Sequence, residues 1–252
     1  MFAFKNSRLI LNKYLRFPLI SERLYLLSEI GYNRSASVKS AVLTDFEKPL
    51  EIQDVKEKNL KKGEVRIKVH YCSVNTLDLN MVGGQGRVKP NLPFYPGYEV
   101  SGEVIEEQLP DDTENVISIG DKVVALCKNN FGGFSTQCIA NGNDVWRVST
   151  TDLERASVLA DNYSLAMLGL FRRGKIKEKT TVLVTAGVGG LGLAAVDIAA
   201  NVYKSKVIAV CSTDDKSELL RNKGAWSALT FEPKNLRTIV KDVTKNKGVD
   251  VV

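Results

Sequence analysis

The chain has 252 residues, 44% of them hydrophobic and 25% charged, a globular composition that excludes a disordered tail, a collagen or a small disulfide-stapled scaffold. Its single histidine, His70, excludes multi-histidine metal sites and leaves one position through which any Ser/His/Asp or Cys/His arrangement would have to run. The net charge of +6 sits at the N-terminus: residues 1–39 hold seven Lys or Arg against Glu22 and Glu29, leaving 28 basic and 27 acidic groups beyond them, so a nucleic-acid partner has no electrostatic support.

On a helical wheel Lys5, Arg8, Lys13 and Arg16 share one arc and Ile10, Leu11, Tyr14, Leu15 and Phe17 the opposite one, before Pro18 ends the helix. No acid precedes Glu22. A basic, amphipathic, acid-poor segment predicts a transit-type leader over residues 1–39 and a mitochondrial matrix address; the alternative is a basic extension of a cytoplasmic protein. No later stretch reaches the roughly eighteen apolar residues that span a bilayer.

Residues 40–150 read as a β-rich domain. Glu64 to Cys72 alternates, with Val65, Ile67, Val69 and Tyr71 on one face and Arg66, Lys68, His70 and Cys72 on the other. His70 lies on the polar face beside two cations and is read as a surface strand residue rather than a catalytic one. Further strands are expected at Tyr98–Glu106, Lys122–Leu126 and Phe134–Ile139, separated by Gly, Pro, Asp and Asn turns. Cys72, Cys127, Cys138 and Cys211 form no CxxC pair and read as small buried hydrophobes of a reducing compartment.

Residues 151–252 change texture. A helix over Asp152–Gly174, broken near Asp161-Asn162, leads into a buried strand Thr181–Thr185, a glycine-rich turn and a helix from about Gly190 to Val202. Strand Lys206–Cys211, helix Asp215–Asn222, strand Ala228–Phe231, helix Asn235–Lys245 and the start of a strand at Val249–Val252 follow. Strands alternating with helices of this length imply right-handed βαβ units and a parallel sheet.

Between the first of these strands and its helix, Gly187, Gly189, Gly190, Leu191 and Gly192 form a turn whose glycines admit a pyrophosphate close to the backbone, at the positive end of a helix. Their spacing matches the dinucleotide fingerprint approximately, and the competing reading is a turn used only for tight helix–sheet packing. The next strand ends in Ser212-Thr213-Asp214-Asp215-Lys216, with no acid at the tip where NAD sites place one. A hydroxyl at Ser212 and an ammonium at Lys216 suit a 2′-phosphate, so NADPH is expected over NADH.

Six ordered motifs, Gly63–His70, Asn75-Thr-Leu-Asp78, Pro96–Gly102, Gly120–Val123, Gly132-Gly-Phe134 and Thr181–Ala195, resemble those of the medium-chain dehydrogenase/reductase superfamily. Within it the chain is similar to the zinc-independent quinone oxidoreductase (zeta-crystallin-like) branch. The resemblance implies an α/β architecture, a GroES-like β-rich substrate domain followed by a partial Rossmann domain. It also implies hydride transfer from NADPH to a small-molecule quinone or α,β-unsaturated carbonyl. An enoyl-thioester reductase and a catalytically inactive binding or structural protein are the alternatives.

The positions where zinc-dependent relatives carry a cysteine and a histidine are here Asn75 and Tyr98, so no metal is expected. By resemblance Asn75 and Asp78 are the catalytic candidates at the nicotinamide end, Asn75 as the direct donor; the competing reading is a turn in which the two cap backbone groups. Gly189, Gly190 and Leu191 meet the pyrophosphate, Ser212 and Lys216 the adenosine phosphate, and Phe231 stands where relatives have a tyrosine near that phosphate. Gly86 and Leu165 likewise replace a tyrosine and a threonine by the nicotinamide. A Rossmann domain of about six strands is only begun before Val252, so the sequence is read as a fragment, a truncated gene model or a short isoform, with a homodimer expected only if the sheet is complete.

Overall fold

The computed structural model describes residues 37–46, 48–85, 89–110, 117–230 and 235–252. The leader expectation, apart from Ser37 to Lys39, therefore lies outside the described residues, as do Gly86 and Phe231. Among the described residues no helix is long and apolar enough to cross a membrane. The chain divides into two compact units, Met1–Val158 and Leu159–Val252.

In the first unit, β1 (Val38–Val42) and β2 (Glu51–Val55) form an antiparallel hairpin. β3 (Glu64–Ser73) leads into the short helix α1 (Thr76–Val82). β4 (Glu99–Glu107), β5 (Lys122–Leu126), β6 (Gln137–Asn141) and β7 (Val145–Arg147) complete a five-stranded antiparallel sheet of order β6-β3-β4-β5-β7. β-branched residues close its core: Val65, Ile67, Val100, Val104, Val123 and Val145 are each fully buried. At about 1.5–3 kcal/mol per buried large aliphatic side chain, this layer is the main stabilising term of the unit.

The alternation read for β3 holds only to Val69. A bulge between Val69 and Tyr71 inserts His70 opposite no partner, which reverses the side on which later residues emerge. Tyr71 is accordingly exposed, while Cys72 packs against the core. His70 stays on the exposed side; desolvation, reinforced by the Lys68 charge, holds its imidazole below the usual value. Arg66, expected on a solvated face, is buried: its Nε donates to Glu106 at 2.7 Å and lies 3.1 Å from Glu57, and a terminal nitrogen donates to the Lys58 carbonyl at 2.6 Å. Arg66→Met, which keeps the stem and removes the charge, is expected to lower unfolding free energy by about 2 kcal/mol in urea denaturation.

The strand expected at Phe134–Ile139 lies two to three residues later. Phe134 and Thr136 instead bond to the edge of the hairpin, with Ala41 N–H donating to the Phe134 carbonyl at 2.8 Å. β2 and β7 are not apparent in the sequence, because each is a short strand of mixed polarity.

The helix expected over Asp152–Gly174 is interrupted at Ser157-Val158 rather than at Asp161-Asn162, and from Leu159 to Arg173 it is continuous but changes its hydrogen-bond spacing. α2 (Leu153–Ala156) belongs to the first unit; α3 (Ser164–Met167) is flanked by wide helical turns at Leu159–Tyr163 and Leu168–Arg173. β8 (Thr181–Val184), α4 (Gly190–Asp197, ending in a wide turn over Ile198–Val202), β9 (Lys206–Cys211), α5 (Ser217–Asn222), β10 (Ser227–Thr230) and α6 (Leu236–Val243) follow. The strands are parallel in the order β10-β9-β8, and Val251 bridges the free side of β8 at Val182, so the chain begins a fourth strand there.

This 3-2-1-4 arrangement is the first half of a doubly wound sheet with its switch point at β8. Successive strand residues face opposite layers, with Val182, Val207 and Ala209 packed beneath α4 and Leu183, Ile208 and Val210 beneath α6. The first layer is pinned by Asp197, which accepts from the Tyr163 hydroxyl at 2.6 Å and Asn201 Nδ2 at 2.7 Å. Partial burial raises the Asp197 carboxyl, but those bonds and the Lys223 ammonium outweigh it and hold the group below the usual range.

Candidate functional site

In the first unit the candidate residues converge where β3 ends. Asn75 caps α1, and Asp78 at the third helical position reaches back so that Oδ2 accepts from the Asn75 N–H at 2.9 Å. Its other oxygen, Oδ1, accepts from the Gly97 N–H at 3.1 Å. Gly97 has φ +106°, and a Cβ there would lie 2.3 Å from the Phe134 nitrogen, so only glycine brings this turn onto Asp78. Burial pushes the Asp78 carboxyl up to about 6, against the pull of backbone N–H groups from Asn75, Gly97 and Tyr98.

Asn75 looks the other way. Its Nδ2 donates to Ser73 Oγ at 2.9 Å and to Glu99 Oε2 at 3.0 Å, and the Ser73 hydroxyl donates to that same oxygen at 2.7 Å. Glu99 is fully buried in β4. The structure thus places Asn75 and Asp78 at the start of α1 and adds Ser73 and Glu99, which sequence reading did not assign. A signal was present: Glu99 sits between Tyr98 and Val100 at the start of an otherwise apolar strand, where an acid is costly unless donors meet it. Asp78 is a positioning group in this geometry, with both oxygens on backbone N–H. Asn75 has both amide hydrogens on neighbours, so donation to a substrate oxygen requires exchange of one of them.

In the second unit the glycine turn leaves the C-terminal end of β8. Gly187 N–H donates to the Val210 carbonyl at 2.9 Å, tying the turn to β9. A Cβ on Gly192 would lie 1.9 Å from the Ala186 carbonyl oxygen, so the helix approaches the turn at a distance only glycine permits. Gly189 is the contrast, since its Cβ would meet nothing closer than 3.8 Å. Gly190 and Leu191 are exposed at the head of α4, where the first N–H groups have no carbonyl within the helix. An open glycine, a packed glycine and outward N–H groups fit a pyrophosphate.

The tip of β9 lies on the same edge of the sheet. Lys216 Nζ donates to Ser212 Oγ at 3.1 Å, so the two expected phosphate contacts stand together, Ser212 exposed and Lys216 half-buried. The neighbouring acids are engaged: Asp214 accepts from the Thr230 hydroxyl, and a hydrogen bond from Thr213 lowers the Asp215 carboxyl. Leu165 is half exposed on α3. Among the described residues no group of three or more His, Cys, Asp or Glu is placed to hold a metal, and all four cysteines are free.

Comparison with known proteins agrees with both halves. The alcohol dehydrogenase GroES-like domain family matches residues 61–183. The rat quinone oxidoreductase-like protein 2 is 36% identical over 228 residues, covering 90% of this chain and 64% of that protein. A probable oxidoreductase from Mycobacterium abscessus superposes with a TM-score of 0.76 at 29% identity, covering 86% of this chain and 68% of its own. The quinone oxidoreductase of Thermus thermophilus, whose structure is known with NADPH, superposes with a TM-score of 0.66 at 27% identity, over 84% of this chain and 65% of its own. The chain spans just under two thirds of the rat relative's length. With a GroES-like sheet, half of a doubly wound sheet and these relatives, the chain belongs to the medium-chain dehydrogenase/reductase superfamily, in its quinone oxidoreductase branch.

Proposed function

We propose that this chain serves an NADPH-dependent reductase of quinones or α,β-unsaturated carbonyls that works without zinc. The observation that carries the cofactor choice is the Ser212–Lys216 pair, a donor and a cation 3.1 Å apart at the tip of β9 with the nearby acids held by threonines. A 2′-phosphate finds charge and a hydrogen bond there, and the tip of β9 itself carries no carboxylate, the acids Asp214 and Asp215 following it and Lys216 helping to hold Asp215 low. The outward N–H groups of Gly190 and Leu191 would take the pyrophosphate. When bound, NADPH supplies the hydride.

The protein's own contribution is positional. Asp78 fixes the start of α1 and the Pro96–Tyr98 turn; Ser73 and Glu99 fix the Asn75 amide, which would exchange one neighbour for the developing oxyanion of the substrate. Asn75 and Tyr98 stand where the resemblance puts zinc ligands, and neither offers a thiolate or imidazole, which supports polarisation by hydrogen bonds.

Titration of the purified chain with NADPH and NADH, followed by nucleotide fluorescence, tests this. The expected result is a preference for NADPH that falls about tenfold in Lys216→Ala, the scale of one charge-assisted bond. Equal affinity for the two nucleotides in the wild type would remove the basis for the cofactor choice. Binding of NADPH with no turnover of an added quinone would favour the inactive-protein alternative.

A further inference from the structure

The near-neutral charge of residues 40–252 conceals a strong separation: residues 40–158 carry 13 basic and 18 acidic groups, and residues 159–252 carry 15 basic and 9 acidic ones. In the second unit the excess gathers at one end, the N-terminal edge of the parallel sheet, opposite the glycine turn. Arg172, Arg173, Lys175, Lys177 and Lys179 lie between α3 and β8. Lys204 and Lys206 lie at the entry to β9, and the two segments are joined by Ser205 Oγ donating to the Lys177 carbonyl at 3.1 Å. Lys245 and Lys247 lead into the strand begun at Val251, which reaches the same edge through the Asp250 N–H on the Thr181 carbonyl at 2.9 Å. All nine are exposed and among the described residues none forms an ion pair; Lys206 lies over the Trp226 ring, 3.3 Å from its centroid, and two exposed acids, Glu178 and Asp250, share the edge.

Helix dipoles account for part of this, because the helices of a parallel sheet end on this edge and favour cations there. Four helix ends of about half a negative charge each do not call for nine cations, however. Four of the nine, Lys175, Lys179, Lys204 and Lys245, occupy left-handed backbone positions with φ between 46° and 70°, where glycine is the easier residue.

The edge also adjoins exposed apolar surface. A groove of about 710 Å³ runs between the helical segments 159–173 and 197–202, and Arg172 is part of its lining. Leu168, Phe171 and Val202 stand 55%, 56% and 62% exposed along it. Cations spread over three loops beside protruding aliphatic and phenyl groups match a charged plane with an apolar interior better than the grooved backbone and stacking bases of a nucleic acid.

We propose that this edge of the second unit is a docking surface for anionic phospholipid membranes, with Phe171, Leu168 and Val202 entering the interface and the lysines on the headgroups.

The test is co-sedimentation of the full chain with vesicles of phosphatidylcholine alone and with vesicles one third phosphatidylserine, at about 0.1 M salt, where exposed charges act over about 10 Å. The wild type is expected to pellet with the phosphatidylserine vesicles only. Because residues 1–39 are themselves basic, the deciding comparison is the triple variant Lys175→Gln, Lys177→Gln, Lys179→Gln, which retains them. At about fivefold per cation it should bind on the order of 100-fold more weakly, with an unchanged melting temperature and circular dichroism spectrum. Phe171→Ser should weaken binding and leave what remains more sensitive to salt. Binding of the triple variant equal to wild type would assign the affinity to the leader and overturn the proposal. So would equal binding to both vesicle types, or tighter binding to a single-stranded RNA homopolymer than to the anionic vesicles.

Discussion

Gly192→Ala is expected to lower the stability of the chain by about 2–3 kcal/mol and to weaken NADPH binding at least about 100-fold, the scale of an overpacked contact that moves a binding turn by an ångström. The new Cβ would start 1.9 Å from the Ala186 carbonyl oxygen, a backbone atom with no rotamer to change, so either α4 or the turn must shift. Gly189→Ala separates packing from binding. Its Cβ meets nothing within 3.8 Å and its φ of −76° suits any residue, so the melting temperature should not change. If the pyrophosphate seats against this turn, that methyl occupies its place, and affinity should fall about tenfold or more. Nucleotide fluorescence titration with parallel thermal melts reads both effects. An unchanged NADPH affinity in Gly189→Ala would move the nucleotide off the glycine turn.

Asp78→Asn is expected to reverse part of the pH dependence of stability. The folded-state carboxyl titrates at about 6, above its unfolded value near 3.8. The folded state therefore holds the proton more tightly between those values. Below about 4 both states are protonated and this group imposes no cost; as pH rises through 6 the folded protein becomes less stable, by up to about 3 kcal/mol for a shift of this size. Asparagine has no such titration but offers one acceptor oxygen to the two N–H groups of Asn75 and Gly97, a loss of about 1–2 kcal/mol. The variant should therefore be less stable than wild type at pH 4 and equal to it or more stable at pH 7. Urea denaturation at the two pH values measures this. Asp197, held below the usual range, contributes with the opposite sign but is common to both proteins and cancels in the comparison. Parallel curves for the two proteins would mean that Asp78 is not desolvated as described.

The second unit was legible in the sequence because it is built from local periodicities. β9 falls on the predicted residues, β8, α5 and α6 lie within one or two, and α4 matches once its wide turn to Val202 is counted, since a run such as Val207-Ile208-Ala209-Val210 buried on both faces has few other places to go. The helical periodicity also covers Leu159–Tyr163, Leu168–Arg173 and Ile198–Val202, but nothing in it marks the wider hydrogen-bond spacing there. The wide turns arise where helix termini adjust to their packing, as when the Gly174 N–H reaches the carbonyl five residues back at Gly169.

The first unit was less legible. Its short strands are defined by partners distant in sequence: Ala41 finds Phe134, and Gly97 finds Asp78. The bulge at His70 is a property of the β3–β4 pair, so an alternation read from one strand fails beyond it. The candidate site divides along the same line. Asn75, Asp78, the glycine turn, Ser212 and Lys216 follow from motif and position. That Asp78 carries backbone rather than substrate, one of the two readings its position allowed, that Glu99 backs Asn75, and that nine cations of the second unit gather at one edge are outcomes of folding. Spacing along the chain determined which residues share a strand, a turn or a helix end. Only the tertiary structure decided which of them are dry, because burial and hydrogen bonding are set by elements that the local sequence does not contain.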